Sequence, residues 1–256
     1  MMLDDNTATL VKTYFAEHPV LGTHASGVCI ALTGSFAVGL GGKGADVDAK
    51  VLCPPAIYDA LRREGNELEE EFPTVVGDYS LESLSDVWAK VQDYSDMTPL
   101  FVYGSLVYLA GDKTLLDPLV QHCRAIPSTV LERERERERG SMGQALYAFL
   151  RSFQNDDGVA RLLARAELVR AAMRLTFLAD GSAPPYDKHL FRLLPQTAHG
   201  AEVAELIRRF LGEPSAAAYE AVGDTSDWHE MYRVAADTPA LQLHGDVLRI
   251  IFGNTR

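Results

Sequence analysis

The stretch ALTGSFAVGLGGKGADVDAKVLC, residues 31–53, decides the fold, because it admits two incompatible ways of holding phosphate. In one, the glycines from Gly39 to Gly44 form a dinucleotide fingerprint. In the other, Gly34-Ser35 and the later Asp46 and Asp48 form a metal and phosphate site. Taken literally, Gly39-Leu40-Gly41-Gly42-Lys43-Gly44 satisfies G-x-G-x-x-G. That motif works only where the first glycine makes the tight turn out of a strand and a helix N-terminus then faces the pyrophosphate. Here the preceding apolar run ends near Thr33, and the segment after Gly44 reads as a strand instead of a helix. Asp46 and Asp48 also arrive far too soon to be the ribose-binding acid, which stands roughly twenty residues on. A P-loop fails as well, since Gly42-Lys43 is followed by Gly44 where Ser or Thr is required.

The second possibility meets its physical requirements. Gly27–Thr33, with the run Val28-Cys29-Ile30-Ala31-Leu32, reads as a buried strand, and Gly34-Ser35 opens a short helix after it. Such a turn offers backbone N–H groups and a hydroxyl to an anion, with the helix dipole in support. Val47–Cys53 reads as the next strand, stopped by Pro54-Pro55. Alternation along it sends residues 46 and 48 to one face, about 7 Å apart, where two carboxylates suit hard cations that also bridge phosphate oxygens.

These residues carry a resemblance. The stretch TGSFAVGLGGKGADVDAKV resembles the Gly-Ser…Asp-x-Asp signature of the polymerase-β-like nucleotidyltransferase superfamily. Within it the chain is similar to bacterial members joined to a helical domain, such as aminoglycoside adenylyltransferases. The resemblance implies an Mg²⁺-dependent transfer of a nucleoside monophosphate, AMP from ATP, to a hydroxyl of a small-molecule acceptor. It implies that Gly34 and Ser35 hold phosphates, that Asp46 and Asp48 bind Mg²⁺, and that a third carboxylate on a neighbouring strand acts as ligand or general base. In FPTVVGDYSLESL the foremost candidate is Asp78, with Glu82 and Glu71 behind it. A weaker resemblance in LADGSAPPYDKHLFRLLPQ, residues 178–196, implies a phosphate contact from Lys188, with Tyr186 nearby.

Around this core the pattern changes once. Ala8–Glu17, Ile57–Glu64 and Leu84–Val91 suit helices, Thr74–Tyr79 suits a strand, and Phe101–Leu109 fits either a strand or a short buried helix. Beyond Asp112 the signals are helical: Leu115–Cys123, Met142–Phe153, Gly158–Ala179, Tyr186–Leu194, Ala201–Leu211 and Pro214–Val222. The expected fold is an α/β (α+β) domain with a small mixed sheet over residues 1–114, followed by an all-α helical domain over 115–256. The tract LERERERERG, residues 131–140, alternates charge sign and reads as an exposed, solvated helix.

Composition narrows the partners. The formal charge of −12 disfavours nucleic acid, which needs clustered Lys and Arg, and favours metal ions or a cationic acceptor. There is no run of 18 apolar residues, and the acidic N-terminal stretch lacks a secretory pattern. The three cysteines, Cys29, Cys53 and Cys123, form no CxxC, so a reducing, cytoplasmic setting is expected. The scattered histidines offer no metal-ligand spacing. Asp224, Asp227, Trp228 and Glu230 suit either an acceptor cleft or an exposed helix start, and Lys43 either a phosphate contact or a solvated loop. Two alternatives stay open: modification of a protein or tRNA, as in toxin–antitoxin relatives, and a degenerate member that binds nucleotide without turnover.

Overall fold

Strands β1 (Cys29–Leu32) and β2 (Val47–Cys53) run antiparallel, pairing Cys29 with Leu52 and Leu32 with Ala49. The computed structural model describes residues 5–42, 45–63, 69–72, 76–212, 219–225 and 227–253. Short β3 (Glu69–Glu71) and the longer β4 (Gly77–Ser83) are antiparallel to each other, and β4 is parallel to β2. With β5 (Val107–Gly111) against β1, the mixed sheet has the order β3-β4-β2-β1-β5. The parallel β2–β4 pair needs a crossover, and α3 (Pro55–Arg63) lies within it.

Burial along β2 explains its role. Val47, Ala49 and Val51 are buried, Asp48 and Lys50 are half-buried, and from Val51 to Cys53 every residue is buried. One face of the sheet therefore packs throughout, while the other is covered only toward the strand's end. The packed face joins Ile30, Leu32, Val47, Ala49, Val51, Tyr79 and Leu81 to Phe15 of α1 (Asp5–Glu17) and Leu61 of α3. Tyr14, Phe15, Phe72 and Tyr79 meet mostly edge-to-face with centroids 5.1–5.9 Å apart, an arrangement that fixes α1 against the sheet.

The first unit continues with α2 (Gly34–Ala37), α4 (Leu84–Val91), α5 (Met97–Gly104) and α6 (Asp117–Arg124), and it ends at Ile126. The expected boundary at residue 114 thus falls early, because α6 belongs with α5. Gly104 allows that approach, since a Cβ there would already meet the Cβ of Cys123 at 3.3 Å. Arg124 adds an Nε–H bond of 2.7 Å to the Gly104 carbonyl. The ambiguous stretch Phe101–Leu109 resolves into the end of α5 and the start of β5.

The second unit, residues 127–256, is all-α. Its largest elements are α7 (Ser128–Gln154) and α8 (Gly158–Ala179), joined by a short turn in which Asp157 caps α8 through Val159 N and Ala160 N. There follow α9 (Asp187–Leu193), α10 (Gly200–Gly212), α11 (Glu220–Gly223), α12 (Trp228–Val234) and α13 (Pro239–Phe252). No helix among the described residues is long and apolar enough to cross a membrane.

The charged tract in α7 departs from the solvated face expected of it. Leu131, Glu134, Glu138, Met142, Ala145 and Phe149 form one buried stripe at helical spacing. Two of those core positions hold glutamates, so their charges need partners. Arg174 of α8 meets Glu138 at 2.8 Å, and Arg137 meets Glu134 at 2.6 Å. Arg135 donates to the Leu178 carbonyl at 3.0 and 2.8 Å, satisfying an open acceptor at the end of α8.

His189 is 5% exposed, and neither ring nitrogen has a hydrogen-bond partner. Burial, then the neighbouring Lys188 and Arg192 charges, hold its pKa below the usual 6.5, and burial does the same for His244. An unfolded histidine takes up a proton near pH 6.5, whereas the folded ring resists it. These groups' contribution is therefore complete above that pH and declines as pH falls through the folded pKa values. Urea unfolding followed by circular dichroism should show stability dropping between pH 7.5 and 5, and H189Q/H244Q should show a shallower drop. Parallel profiles would exclude these residues as the source.

Candidate functional site

The turn after β1 is built around a close contact. Thr33 N donates to the Asp48 carbonyl at 2.9 Å, which keeps the end of β1 beside β2. Gly34 then takes φ of +63°, a left-handed conformation unfavourable for residues with a Cβ. A Cβ on Gly34 would overlap the Asp48 carboxylate, so that carboxylate rests directly against the Gly34 main chain. Ser35 follows, and its Oγ is buried without a hydrogen-bond partner. Its carbonyl accepts from Leu40 N at 2.8 Å and Gly41 N at 2.9 Å, folding the glycine-rich connection back over the turn. Because α2 has only four residues, little helix dipole accumulates there. The polar groups the turn itself offers are therefore individual N–H groups and the Ser35 hydroxyl.

The parallel β2–β4 ladder supplies the other side. Its register places Asp48 opposite Asp78, Lys50 opposite Ser80 and Leu52 opposite Glu82. Gly77 opens β4 at φ +146°, where a Cβ would collide with the backbone of Val47. That approach brings the two strands together one residue before the aspartates. Alternation directs Asp48 and Asp78 away from the packed face that holds Val47, Ala49 and Tyr79. Asp48 is half-buried, while Asp78 and Asp46 are exposed. Asp46 lies just ahead of the ladder, which begins at Val47, so strand pairing does not impose its direction.

The remaining acids separate by their partners. Glu82 accepts from Lys50 Nζ at 2.6 Å through Oε1 and from the Tyr103 hydroxyl at 2.7 Å through Oε2. Lys50 Nζ also approaches Ser80 Oγ at 3.4 Å and lies 5.7 Å from the Tyr103 ring centroid. Glu82 is thus engaged in a half-buried ion pair, which removes it as a rival to Asp78. Glu71 pairs with Asp78 across β3–β4, but its side chain lies outside the described residues, as does Lys43. This Lys50–Glu82–Tyr103 cluster was missed from sequence. Its only signal was charged residues at alternate positions of apolar strands.

Carboxylate oxygens suit a hard cation such as Mg²⁺, and Asp46 and Asp48 on one segment, with Asp78 in register across the ladder, offer donors of that kind. In their present side-chain conformations, the described residues contain no group of three or more His, Cys, Asp or Glu able to hold a metal ion. The donors fit the cation in chemistry without being gathered into such a group.

In the second unit Lys188 is exposed in the first turn of α9, and the buried Pro184-Pro185 lead into it. Tyr186 is 39% exposed. Asp227 accepts from Glu230 N at 2.9 Å and caps α12, while Trp228 remains 56% exposed. The acidic group there is thus accounted for as a helix start. Among the described residues no such arrangement ties Asp224 to it.

No protein-family model matches the chain, and no curated protein matches it. Among solved structures, one similar to this chain is the crystal structure of a nucleotidyltransferase-like protein from Exiguobacterium sibiricum 255-15. The two share 12% identity with a TM-score of 0.46, over 96% of this chain and 76% of that one.

Two outcomes test this geometry. Gly34→Ala should lower unfolding free energy by at least about 1–2 kcal/mol, the scale of left-handed strain for a residue with a Cβ, with displacement of Asp48 added to it. Urea titration reads this directly. Lys50→Met and Glu82→Gln should each destabilise, and the double variant should lose less than the sum, because each single change strands a partly buried polar partner. Simple additivity would mean the pair is energetically uncoupled.

Proposed function

We propose that the chain is a nucleotidyltransferase that moves AMP from ATP onto a hydroxyl of a small molecule, releasing pyrophosphate. One observation carries this: the Asp48 carboxylate lies on the left-handed Gly34 turn, the next residue of which is Ser35 with its unpartnered hydroxyl, and Asp78 is in register across β2–β4. This supports the reading because phosphoryl chemistry requires hydrogen-bond donors for phosphate near carboxylates for a metal ion.

In this reading Gly34 and Ser35 take the β- and γ-phosphate oxygens. Asp46 and Asp48 hold Mg²⁺, whose chemistry when bound is to neutralise charge on the triphosphate and the departing pyrophosphate. Asp78 receives the proton of the acceptor hydroxyl. The acceptor oxygen forms its bond to the α-phosphorus while the α-phosphorus bond to the bridging oxygen breaks, and pyrophosphate leaves with the electron pair. The phosphate contact from Lys188 rests on the resemblance alone.

The absence of a three-carboxylate group among the described residues favours a second reading, a protein that binds nucleotide without turnover. The two readings part in one experiment. Full-length protein is incubated with α-labelled ATP, Mg²⁺ and a panel of hydroxylated acceptors, including free amino acids, aminocyclitols and sugars. Transfer of label is expected, with Asp48→Asn and Asp78→Asn each slowing it by at least about a hundredfold. Mg²⁺-dependent ATP binding with no transfer to any acceptor would support the binding protein. Failure to bind ATP at all would remove both.

A further inference from the structure

Beyond the aspartates, the same two strands lead to a second polar site. A cavity of about 250 Å³ is lined by Lys50, Tyr58, Ser80, Glu82, Asp86 and Lys90, together with Leu81, Ser83 and Val87. Lys50 and Ser80 are the register pair two residues beyond Asp48 and Asp78, a step of about 7 Å along the strands. The cavity thus begins one side-chain position from the acid pair. Its far wall is α4, which supplies Asp86 and Lys90.

The lining has an unusual charge arrangement for this unit. Residues 1–126 carry 18 Asp and Glu against 8 Lys and Arg, yet two of those eight cations converge on this one small space. Lys50 is already neutralised by Glu82, and each Glu82 oxygen already accepts one bond, from Lys50 and from Tyr103. Asp86 and Lys90 differ: both are exposed, they stand one turn apart on α4, and neither forms an ion pair among the described residues. Two opposite charges on one wall, beside Tyr58 and the remaining N–H of Lys50, complement a molecule that carries both an anionic and a cationic group. The volume admits a ligand of about amino-acid size and is well below that of a nucleoside triphosphate.

We propose that this cavity binds a small zwitterion, its carboxylate held by Lys90 and Lys50 and its ammonium by Asp86. That this molecule bears a hydroxyl and is the nucleotidyl acceptor rests on the function proposed above; that the cavity binds a zwitterion does not. The site is therefore tested without nucleotide. L-serine is titrated into full-length protein, observed by heteronuclear NMR, alongside ethanolamine, which lacks the carboxylate, and lactate, which lacks the ammonium. Saturable L-serine binding is expected, with shifts confined to α4 and the Lys50–Glu82 region. Ethanolamine and lactate should each bind at least tenfold more weakly. Lys90→Ala and Asp86→Asn, both surface changes that leave the core intact, should each weaken L-serine at least tenfold. Three results would overturn the proposal: no L-serine binding, equal binding of all three probes, or binding indifferent to both substitutions. Loss of ATP-dependent transfer in Asp48→Asn with L-serine binding retained would leave this site standing whatever becomes of the acceptor assignment.

Discussion

The contact on which the site depends is that between the Asp48 carboxylate and the bare Cα of Gly34. It requires a residue without a Cβ at a left-handed position, and it fixes the Gly34-Ser35 turn to the acid-bearing strand. Around it, the Thr33 N–H bond to the Asp48 carbonyl and the Gly77–Val47 approach hold β1, β2 and β4 side by side. A turn, a hairpin partner and a parallel neighbour thus meet within a few ångströms of one carboxylate. Each half of the proposed site comes from a different segment, and backbone proximity joins them.

Much of this was legible beforehand. β2 and α8 appear at the limits their patterns indicate, because β2 alternates from Val47 to Val51 and is stopped by Pro54-Pro55, and α8 opens on an Asp cap. The small mixed sheet followed by helices was legible from the single change in periodicity. Three things were not. The domain limit was read too early, since α6 has the same helical signature as the helices of the second unit and only its packing on Gly104 assigns it to the first. Phe101–Leu109 spans two elements, and apolar content alone cannot locate the junction. The run of alternating Glu and Arg concealed a buried stripe, because charge dominated a pattern whose spacing was that of a core.

The candidate site divides similarly. Gly34, Ser35, Asp46 and Asp48 are close in sequence and could be grouped by motif. Asp78 could be named only as one of several acids; the parallel register singles it out as the residue opposite Asp48. Glu82 looked equivalent in sequence, and only its bonds to Lys50 and Tyr103 show that both its oxygens are already occupied. Tertiary partnership, which no single-chain pattern encodes, is what distinguishes a structural carboxylate from an available one.

The parallel pairing of β2 with β4 has a consequence for how the protein assembles. Every partnership in that ladder joins residues 30 positions apart, from Val47–Gly77 to Cys53–Ser83. The β1–β2 ribbon closes a shorter stretch of chain and can form earlier, since closing a longer loop costs more entropy before any contact compensates for it. A nascent or partly denatured chain could therefore carry the Gly-Ser turn and its adjoining aspartate while the opposing aspartate was still distant. Whatever chemistry the pair supports is withheld until the crossover through α3 has docked, so the site itself reports completion of the first unit.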